Sequence, residues 1–260
     1  PKSATFRTSD VVGLDTLVKV SNNLYAGLPE DEGREMFNLP DVVNQLMEKN
    51  WLGDKTKQGF YKKTKDAKGK TEILTLDLNK LEYKPKEKVK FATLEATKPI
   101  ENLKERFKIL LSGKDIAGEF YRDSFYGVFQ YVSNRIPEIA DELYKIDDAL
   151  CAGFGWEVGP FETWDQVNLK KTVAKMEEAG YKPNQWVYDM LDSGAESFYK
   201  VEDSKRMYYD VASKSYKAIP GMDDFIILDN IRESQVVWSN SGSTIFDLGD
   251  GILNVESHTK

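Results

Sequence analysis

The sequence predicts a mainly α protein built from two tandem copies of one helical domain, each closed by small β-hairpins. The first observation is internal repetition. Phe6-Arg7-Thr8-Ser9-Asp10-Val11-Val12-Gly13-Leu14 matches Phe161-Glu162-Thr163-Trp164-Asp165-Gln166-Val167-Asn168-Leu169. Val42-Val43 and Leu46-Met47 match Trp186-Val187 and Met190-Leu191, and Phe60-Tyr61-Lys62 matches Phe198-Tyr199-Lys200. Leu76-Asp77-Leu78 with Tyr83-Lys84 matches Tyr209-Asp210-Val211 with Tyr216-Lys217. The offset shrinks along the chain, as shorter loops in a second copy require, and the period is far too long for a solenoid. The second observation is helical spacing of apolar residues after each first anchor: Leu14, Leu17, Leu24 and Leu28, then Val167, Val173 and Met176. The third is the change of pattern beyond Gly59, where Glu72-Ile73-Leu74-Thr75-Leu76-Asp77-Leu78 reads as strand.

The elements follow in order. Thr8 and Thr163 precede the apolar runs, and their hydroxyls are expected to cap helix N-termini. Asp10 and Asp165 are then expected in first turns, where the helix dipole favours negative charge. Pro40-Asp41 opens a helix ending near Lys49. Lys84 to Pro99 is lysine-rich with two prolines and reads as a linker or a short strand. Phe107–Leu111, Phe120–Val132 and the series Ile139, Leu143, Ile146, Leu150 read as helices, with Pro137 expected at the first turn of the last. In the tail, Phe225–Leu228 and Val236–Trp238 are apolar and β-rich. Ser243–Leu248, Gly249-Asp250-Gly251 and Ile252–Glu256 form a hairpin, with Asp-Gly supplying the turn. The expected division is a first repeat over 1–98 without its opening helices, a second over 99–224, and a linker with the start of a third domain over 225–260.

Composition narrows the function. Of 260 residues, 40% are hydrophobic and 30% charged, which suits a folded globular chain. The net charge of −7 disfavours a nucleic-acid partner, which requires basic excess to neutralise phosphates. No apolar run is long enough for a membrane span. The start lacks Met and a signal peptide, so the chain reads as an interior piece of a longer product. The single cysteine, Cys151, forbids an internal disulfide and fits the cytoplasm. The single histidine, His258, stands near the end, so a nucleophilic triad or a Cys/His pair would have to use that terminal residue, and a zinc site with several His or Cys ligands cannot be built.

The motifs themselves resemble a known family. The run from Lys2 to Thr16, Lys-Ser-Ala-Thr-Phe-Arg-Thr-Ser-Asp-Val-Val-Gly-Leu-Asp-Thr, resembles the C-terminal domain signature of 3-hydroxyacyl-CoA dehydrogenases. Gly53-Asp54-Lys55-Thr56-Lys57-Gln58-Gly59-Phe60-Tyr61 is similar to that domain's Gly-x-Lys-x-x-x-Gly-Phe-Tyr motif. Ser133-Asn134-Arg135, Asp147 and Gly159-Pro160-Phe161 through Asp165 resemble the same domain in the second copy, and the tail from Val236 resembles the first hairpin of an enoyl-CoA hydratase (crotonase) domain. The resemblance implies the helical fold of the C-terminal domains of 3-hydroxyacyl-CoA and 6-phosphogluconate dehydrogenases. It implies a part in NAD-dependent oxidation of 3-hydroxyacyl-CoA to 3-oxoacyl-CoA in fatty-acid β-oxidation. It also implies acyl-CoA, an absent nucleotide-binding domain and a downstream crotonase-like domain as partners. The family's proton acceptor is a histidine paired with a glutamate in its nucleotide-binding half, and this chain has neither that histidine nor a Rossmann fingerprint. Asn134 follows the family's Asn-Arg pattern but lies in the second copy, so no catalytic role is carried onto it. No catalytic, cofactor-binding or metal-binding residue is therefore assigned, and NAD belongs to the parent enzyme.

The other conspicuous residues have plainer readings. Gly153-Phe154-Gly155-Trp156-Glu157-Val158-Gly159 follows a helix and reads as a helix stop, not a nucleotide loop. Lys62, Lys63, Lys65, Lys68 and Lys70 read as a solvated hairpin tip. The pairs Glu177-Glu178 and Asp147-Asp148 point apart on helices and read as solvated faces. Trp156, Phe161 and Trp164 read as core or interface, Cys151 as a buried inert thiol and His258 as an exposed tail residue. The rival to a dehydrogenase substrate-side region is an autonomous acyl-CoA-binding or protein-assembly module without dehydrogenase activity.

Overall fold

The computed structural model describes residues 4–66, 68–222, 225–232 and 234–258, so Lys2 and Ser3 of the first signature lie outside the described residues. The chain forms two compact units, Pro1–Lys90 and Phe91–Lys260.

In the first unit, α1 (Thr5–Val12) and α2 (Leu14–Gly27) are separated only by Gly13, whose φ of +100° breaks the helix. A 3-10 turn at Arg34–Phe37 leads to α3 (Asp41–Glu48), with the bounds that Pro40-Asp41 and Lys49 predict. Leu14 and Leu46 are completely buried, and Val43, Phe60 and Leu76 close the core around them. A second 3-10 turn, Asp54–Thr56, precedes an antiparallel sheet of β1 (Tyr61–Lys65), β2 (Thr71–Asp77) and β3 (Glu82–Pro85).

The second unit opens with α4 (Ala92–Thr97), α5 (Leu103–Ser112) and α6 (Ile116–Asn134). Asp115 caps α6 by accepting from the Gly118 N–H at 3.0 Å, and it also accepts from the Thr93 hydroxyl and N–H. Those bonds, the Thr93 hydroxyl first, hold its carboxyl down to about 2. Then come α7 (Leu143–Phe154), α8 (Pro160–Gln166), α9 (Leu169–Glu178) and α10 (Gln185–Asp192). The sheet of β4 (Tyr199–Glu202), β5 (Lys205–Asp210) and β6 (Ser215–Ala218) follows. After the short α11 (Leu228–Ile231), β7 (Val236–Ser239), β8 (Ser243–Gly249) and β9 (Ile252–Ser257) form a third antiparallel sheet. The aromatic core has Phe129 stacked on Trp164 at 4.8 Å and Phe198 edge-on to Phe161 at 5.0 Å. Among the described residues no helix is long and apolar enough to cross a membrane.

Several expectations are corrected. The fold is not mainly α with small hairpins: three three-stranded antiparallel sheets stand beside the helices. The added strands β3 and β6 are four residues long and mostly polar, so their alternation is invisible in sequence. They are nonetheless needed, since a two-stranded ribbon is marginal in water. Thr8 and Thr163 are not N-caps. Thr8 lies inside α1 and donates to the Ala4 carbonyl at 3.1 Å, while Thr163 is buried inside α8, which starts at Pro160 behind Gly159. Pro137 does not open a helix: the Ile136–Pro137 peptide is cis, Ile136 is buried in the core, and α7 begins only at Leu143. The apolar stretch at 225–228 leads into α11 instead of a strand, and residues 223 and 224 before it lie outside the described residues.

Candidate functional site

Three aspartates turned into the protein interior form the chain's most distinctive polar chemistry. In the second unit Asp147 projects from α7 and is buried. Its Oδ1 accepts from the Phe161 N–H at 2.9 Å, and its Oδ2 accepts from the Glu162 N–H at 3.0 Å and from the Tyr199 hydroxyl at 2.8 Å. It thus caps the start of α8 from outside that helix, where the first N–H groups have no intrahelical acceptor. Gly159 is what admits it, because a Cβ there would overlap the Asp147 side chain. Asp165, near the end of α8, accepts from the Phe198 N–H at 2.8 Å and the Tyr199 N–H at 2.9 Å. The Arg206 guanidinium lies 4.4 Å from the centre of the Tyr199 ring and 3.2 Å from Glu162.

The first unit repeats part of this network. Asp10, in the last turn of α1 and buried, accepts from the Phe60 N–H at 2.9 Å and the Tyr61 N–H at 2.8 Å. The Tyr83 hydroxyl donates to the Gly59 carbonyl at 2.7 Å, and Tyr216 donates to the Ser197 carbonyl at 2.5 Å in the second unit. Lys84 reaches Asp77 at 3.4 Å, as Lys217 reaches Asp210 at 2.7 Å. Lys62 sits over the Tyr83 ring at 5.3 Å, and Lys200 over Tyr216 at 4.5 Å. The sheet registers agree as well, with Leu76 opposite Tyr83 and Tyr209 opposite Tyr216.

The glycine motif of the first unit is built around Asp10. Gly53, at φ +104°, lies so close to the Asp10 backbone that a Cβ would overlap its carbonyl, and a Cβ on Gly59 would overlap the Asp10 carboxylate. Between them Thr56 accepts from the Leu52 N–H at 2.9 Å and donates to the Gln58 carbonyl at 3.0 Å. Lys55 pairs with Asp15 and Arg7 with Asp54, both exposed ion pairs of little energetic weight. The motif is a clasp that fixes β1 against α1.

Electrostatics follow from this enclosure. Burial, the largest effect, pushes the Asp147 carboxyl up to about 7, against the pull of its three donors. Asp165 keeps some exposed surface, yet burial and then nearby Asp147 push it up to about 7 as well. Burial first, then the Asp147 charge, holds the Tyr199 phenol well above its ordinary range, so it remains a proton donor. Asp10 is raised by burial in the same sense. A carboxyl raised in the folded state binds protons that the unfolded chain has already released, so folding is disfavoured as pH climbs between the two pKa values. The second unit is therefore expected to lose stability from about pH 4 to about pH 7. The urea midpoint read from Trp164 and Trp186 fluorescence should be higher at pH 5.5 than at pH 8, and Asp147→Asn should flatten the difference. A midpoint that climbs with pH contradicts this.

Each residue singled out from sequence has a place. Asn134 accepts from Asn184 Nδ2 at 3.2 Å, and Ser133 accepts from the Asn184 N–H at 2.9 Å, so this motif anchors the start of α10. Gly153–Gly159 does not fit a dinucleotide: it follows α7 rather than a strand, Gly155 ends that helix at φ +64°, and Gly159 is packed on Asp147. Phe161 and Trp164 are core, and Trp156 is half-buried. Asp147 is corrected from a solvated face to the buried centre of the network, whereas Asp148, Glu177 and Glu178 are exposed. Cys151 is half-buried instead of buried, and burial with nearby carboxylates raises its thiol. His258 is exposed, within 3.1 Å of the Thr244 hydroxyl. The lysines of the run border β1 and its turn, with Asp66 accepting from the Lys68 and Lys70 N–H groups at 2.9 Å. Tyr199 as the link between two aspartates was not anticipated from sequence.

Comparison with known proteins agrees with the first-unit geometry. Residues 1–63 match the family model described as 3-hydroxyacyl-CoA dehydrogenase, C-terminal domain. The whole chain is 41% identical to a protein of Bacillus subtilis named as a 3-hydroxyacyl-CoA dehydrogenase, covering 32% of that protein. Over 62% of the chain it is 27% identical to a Rickettsia prowazekii protein named as a fatty acid oxidation complex trifunctional enzyme, covering 21% of it. A shorter match, 41% identity over 73 residues, links it to a Deinococcus radiodurans protein also named as a 3-hydroxyacyl-CoA dehydrogenase. The chain thus spans about a third or less of the length of these relatives. Residues 1–63, which match the family model of the 3-hydroxyacyl-CoA dehydrogenase C-terminal domain, contain the clasp that the Gly53–Tyr61 motif builds around Asp10.

Proposed function

We propose that this chain is the substrate-side and inter-domain packing region of an NAD-dependent 3-hydroxyacyl-CoA dehydrogenase of fatty-acid β-oxidation. The observation that carries the reading is the family match over the Asp10 clasp, together with full-length similarity to the Bacillus relative. The internal chemistry agrees with a supporting role: Asp10, Asp147 and Asp165 each accept at least two backbone N–H bonds, which ties each carboxylate to the fold. The two networks are read as copies of one ancestral unit, the first on the acyl-CoA side of the enzyme and the second bracing it. The third sheet is read as belonging to a crotonase-like domain, in keeping with the trifunctional name of the Rickettsia relative. NAD and the proton acceptor are assigned to other parts of the parent enzyme.

The chain alone should show no turnover with 3-hydroxyacyl-CoA and NAD, measured as NADH absorbance. Turnover that tracked the protein through purification contradicts the proposal. The same chain mixed with a nucleotide-binding half from the Bacillus relative is the complementary assay, and a gain of activity there supports it.

A further inference from the structure

Charge is unevenly placed along this chain. Residues 61–90 hold ten lysines, five acidic residues and no arginine, although the net charge of the whole is −7. The first-unit sheet sorts these charges. Leu76 is buried on its inward face, so Ile73, three positions away, faces outward. Lys63 lies opposite Ile73 and Lys65 opposite Thr71 on that outward face. Both lysines are exposed, and Ile73 is 58% exposed. Lys68 and Lys70 of the β1–β2 turn and Lys86, next after the Pro85–Leu74 pair, are exposed as well. Among the described residues none of these five lysines makes an ion pair, and Ala67, outside them, carries no charge. The acidic residues are placed elsewhere. Asp77 opposes Glu82 at the far end of β2 and binds Lys84, Glu72 shares the inward face with Leu76, and Asp66 is held by the Lys68 and Lys70 N–H groups. The second-unit sheet shows the contrast. Arg206 lies opposite Val201, as Ile73 lies opposite Lys63, and is neutralised by Glu162 at 3.2 Å.

The residue types select the anion. A discrete phosphate is best held by arginine's planar fork, and a nucleobase by an exposed aromatic platform. Residues 61–90 offer no arginine, and Tyr61, the aromatic residue on this face, is half-buried. Flexible lysines around an exposed isoleucine suit a surface whose negative charge is spread in two dimensions over apolar material. Their stems lie along the apolar part and their ammonium groups reach the headgroups. We propose that the outward face of the first-unit sheet docks the chain on an anionic lipid surface, with Lys63, Lys65, Lys68 and Lys70 among the headgroups and Ile73 as the apolar contact. The rest of the chain is net acidic and is repelled by such a surface, so this face sets the orientation.

The test is flotation of the 260-residue chain with vesicles of phosphatidylglycerol and phosphatidylcholine in equal parts, and with vesicles of phosphatidylcholine alone. The chain should float with the first and not with the second, and binding should fall as salt is raised. Each lysine near an anionic surface contributes about fivefold to partitioning, so Lys63→Gln with Lys65→Gln should weaken binding about twentyfold. Lys63→Arg with Lys65→Arg should retain it, and Ile73→Ser should weaken it without changing the salt dependence. Lys170→Gln with Lys171→Gln removes the same charge from the exposed surface of α9 and should leave binding unchanged. Protection of the Phe60 and Tyr61 amides shows that each sheet variant is folded. The proposal is overturned if the chain floats with neither vesicle or equally with both, or if the two glutamine pairs have the same effect. Retention on immobilised polyglutamate without flotation assigns the face to an acidic protein and overturns it as well.

Discussion

Gly53→Ala should unfold the first unit or bring it close to unfolding. At φ +104° a side chain is strained wherever it sits, which costs about 1–2 kcal/mol. Here the new Cβ would also overlap the carbonyl and Cα of Asp10, so backbone, not a flexible side chain, has to move. Overpacking against rigid neighbours adds about 1–3 kcal/mol. The sum is a large share of the stability of a unit this small. The displaced segment is the one that carries the Phe60 and Tyr61 N–H donors, so the Asp10 bonds are lost together with the packing. Trp51 fluorescence is a local probe, since its ring lies 5.3 Å from Tyr83. It should report a urea midpoint for the first unit far below that of the parent chain. A midpoint shift no larger than that of an exposed alanine substitution contradicts the clasp.

Asp147→Ala should be the most damaging single change in the second unit. It leaves the Phe161 and Glu162 N–H groups and the Tyr199 hydroxyl without their acceptor in an enclosed space. Each buried donor left unpaired costs about 1–3 kcal/mol, offset in part because a carboxyl raised to about 7 is itself costly to bury. A net loss of about 3 kcal/mol is expected near neutral pH. Asp147→Asn should cost less than alanine, because one amide oxygen still accepts and no charge is buried, although its NH2 then faces the donors that met the other carboxylate oxygen. Denaturation followed by Trp164 and Trp186 emission measures both, and an alanine variant as stable as the parent contradicts the account.

How far sequence alone reaches is clear from these residues. Repetition of Phe6, Asp10 and Leu14 as Phe161, Asp165 and Leu169 identifies matching segments, in which both aspartates accept from the backbone of the following sheet and both leucines are buried. The sense of the aspartates was readable but easily mistaken. In α1 and α8 the aspartate stands four residues after a phenylalanine, Phe6 or Phe161, and so shares that ring's face of the helix. Leu143 and Asp147 show the same spacing on α7. What no local pattern could supply is the acceptor geometry: Asp10 and the Phe60 N–H are 50 residues apart, and Asp147 and Tyr199 are 52 apart. The third strands of the first two sheets were hidden for a different reason. Glu82–Pro85 and Ser215–Ala218 each contribute one aromatic residue to the core side, too little for a period-two signal, and their pairing is decided by the Tyr83 and Tyr216 hydroxyls that reach back to Gly59 and Ser197.

Amide hydrogen exchange at Phe60, Tyr61, Phe198 and Tyr199 tests most directly whether the buried carboxylates serve as fold clasps. All four amides should be strongly protected in the parent chain. Asp10→Ala should release Phe60 and Tyr61 alone, and Asp165→Ala should release Phe198 and Tyr199 alone. Exchange of these amides at unprotected rates in the parent chain, or unchanged protection in the alanine variants, would contradict it.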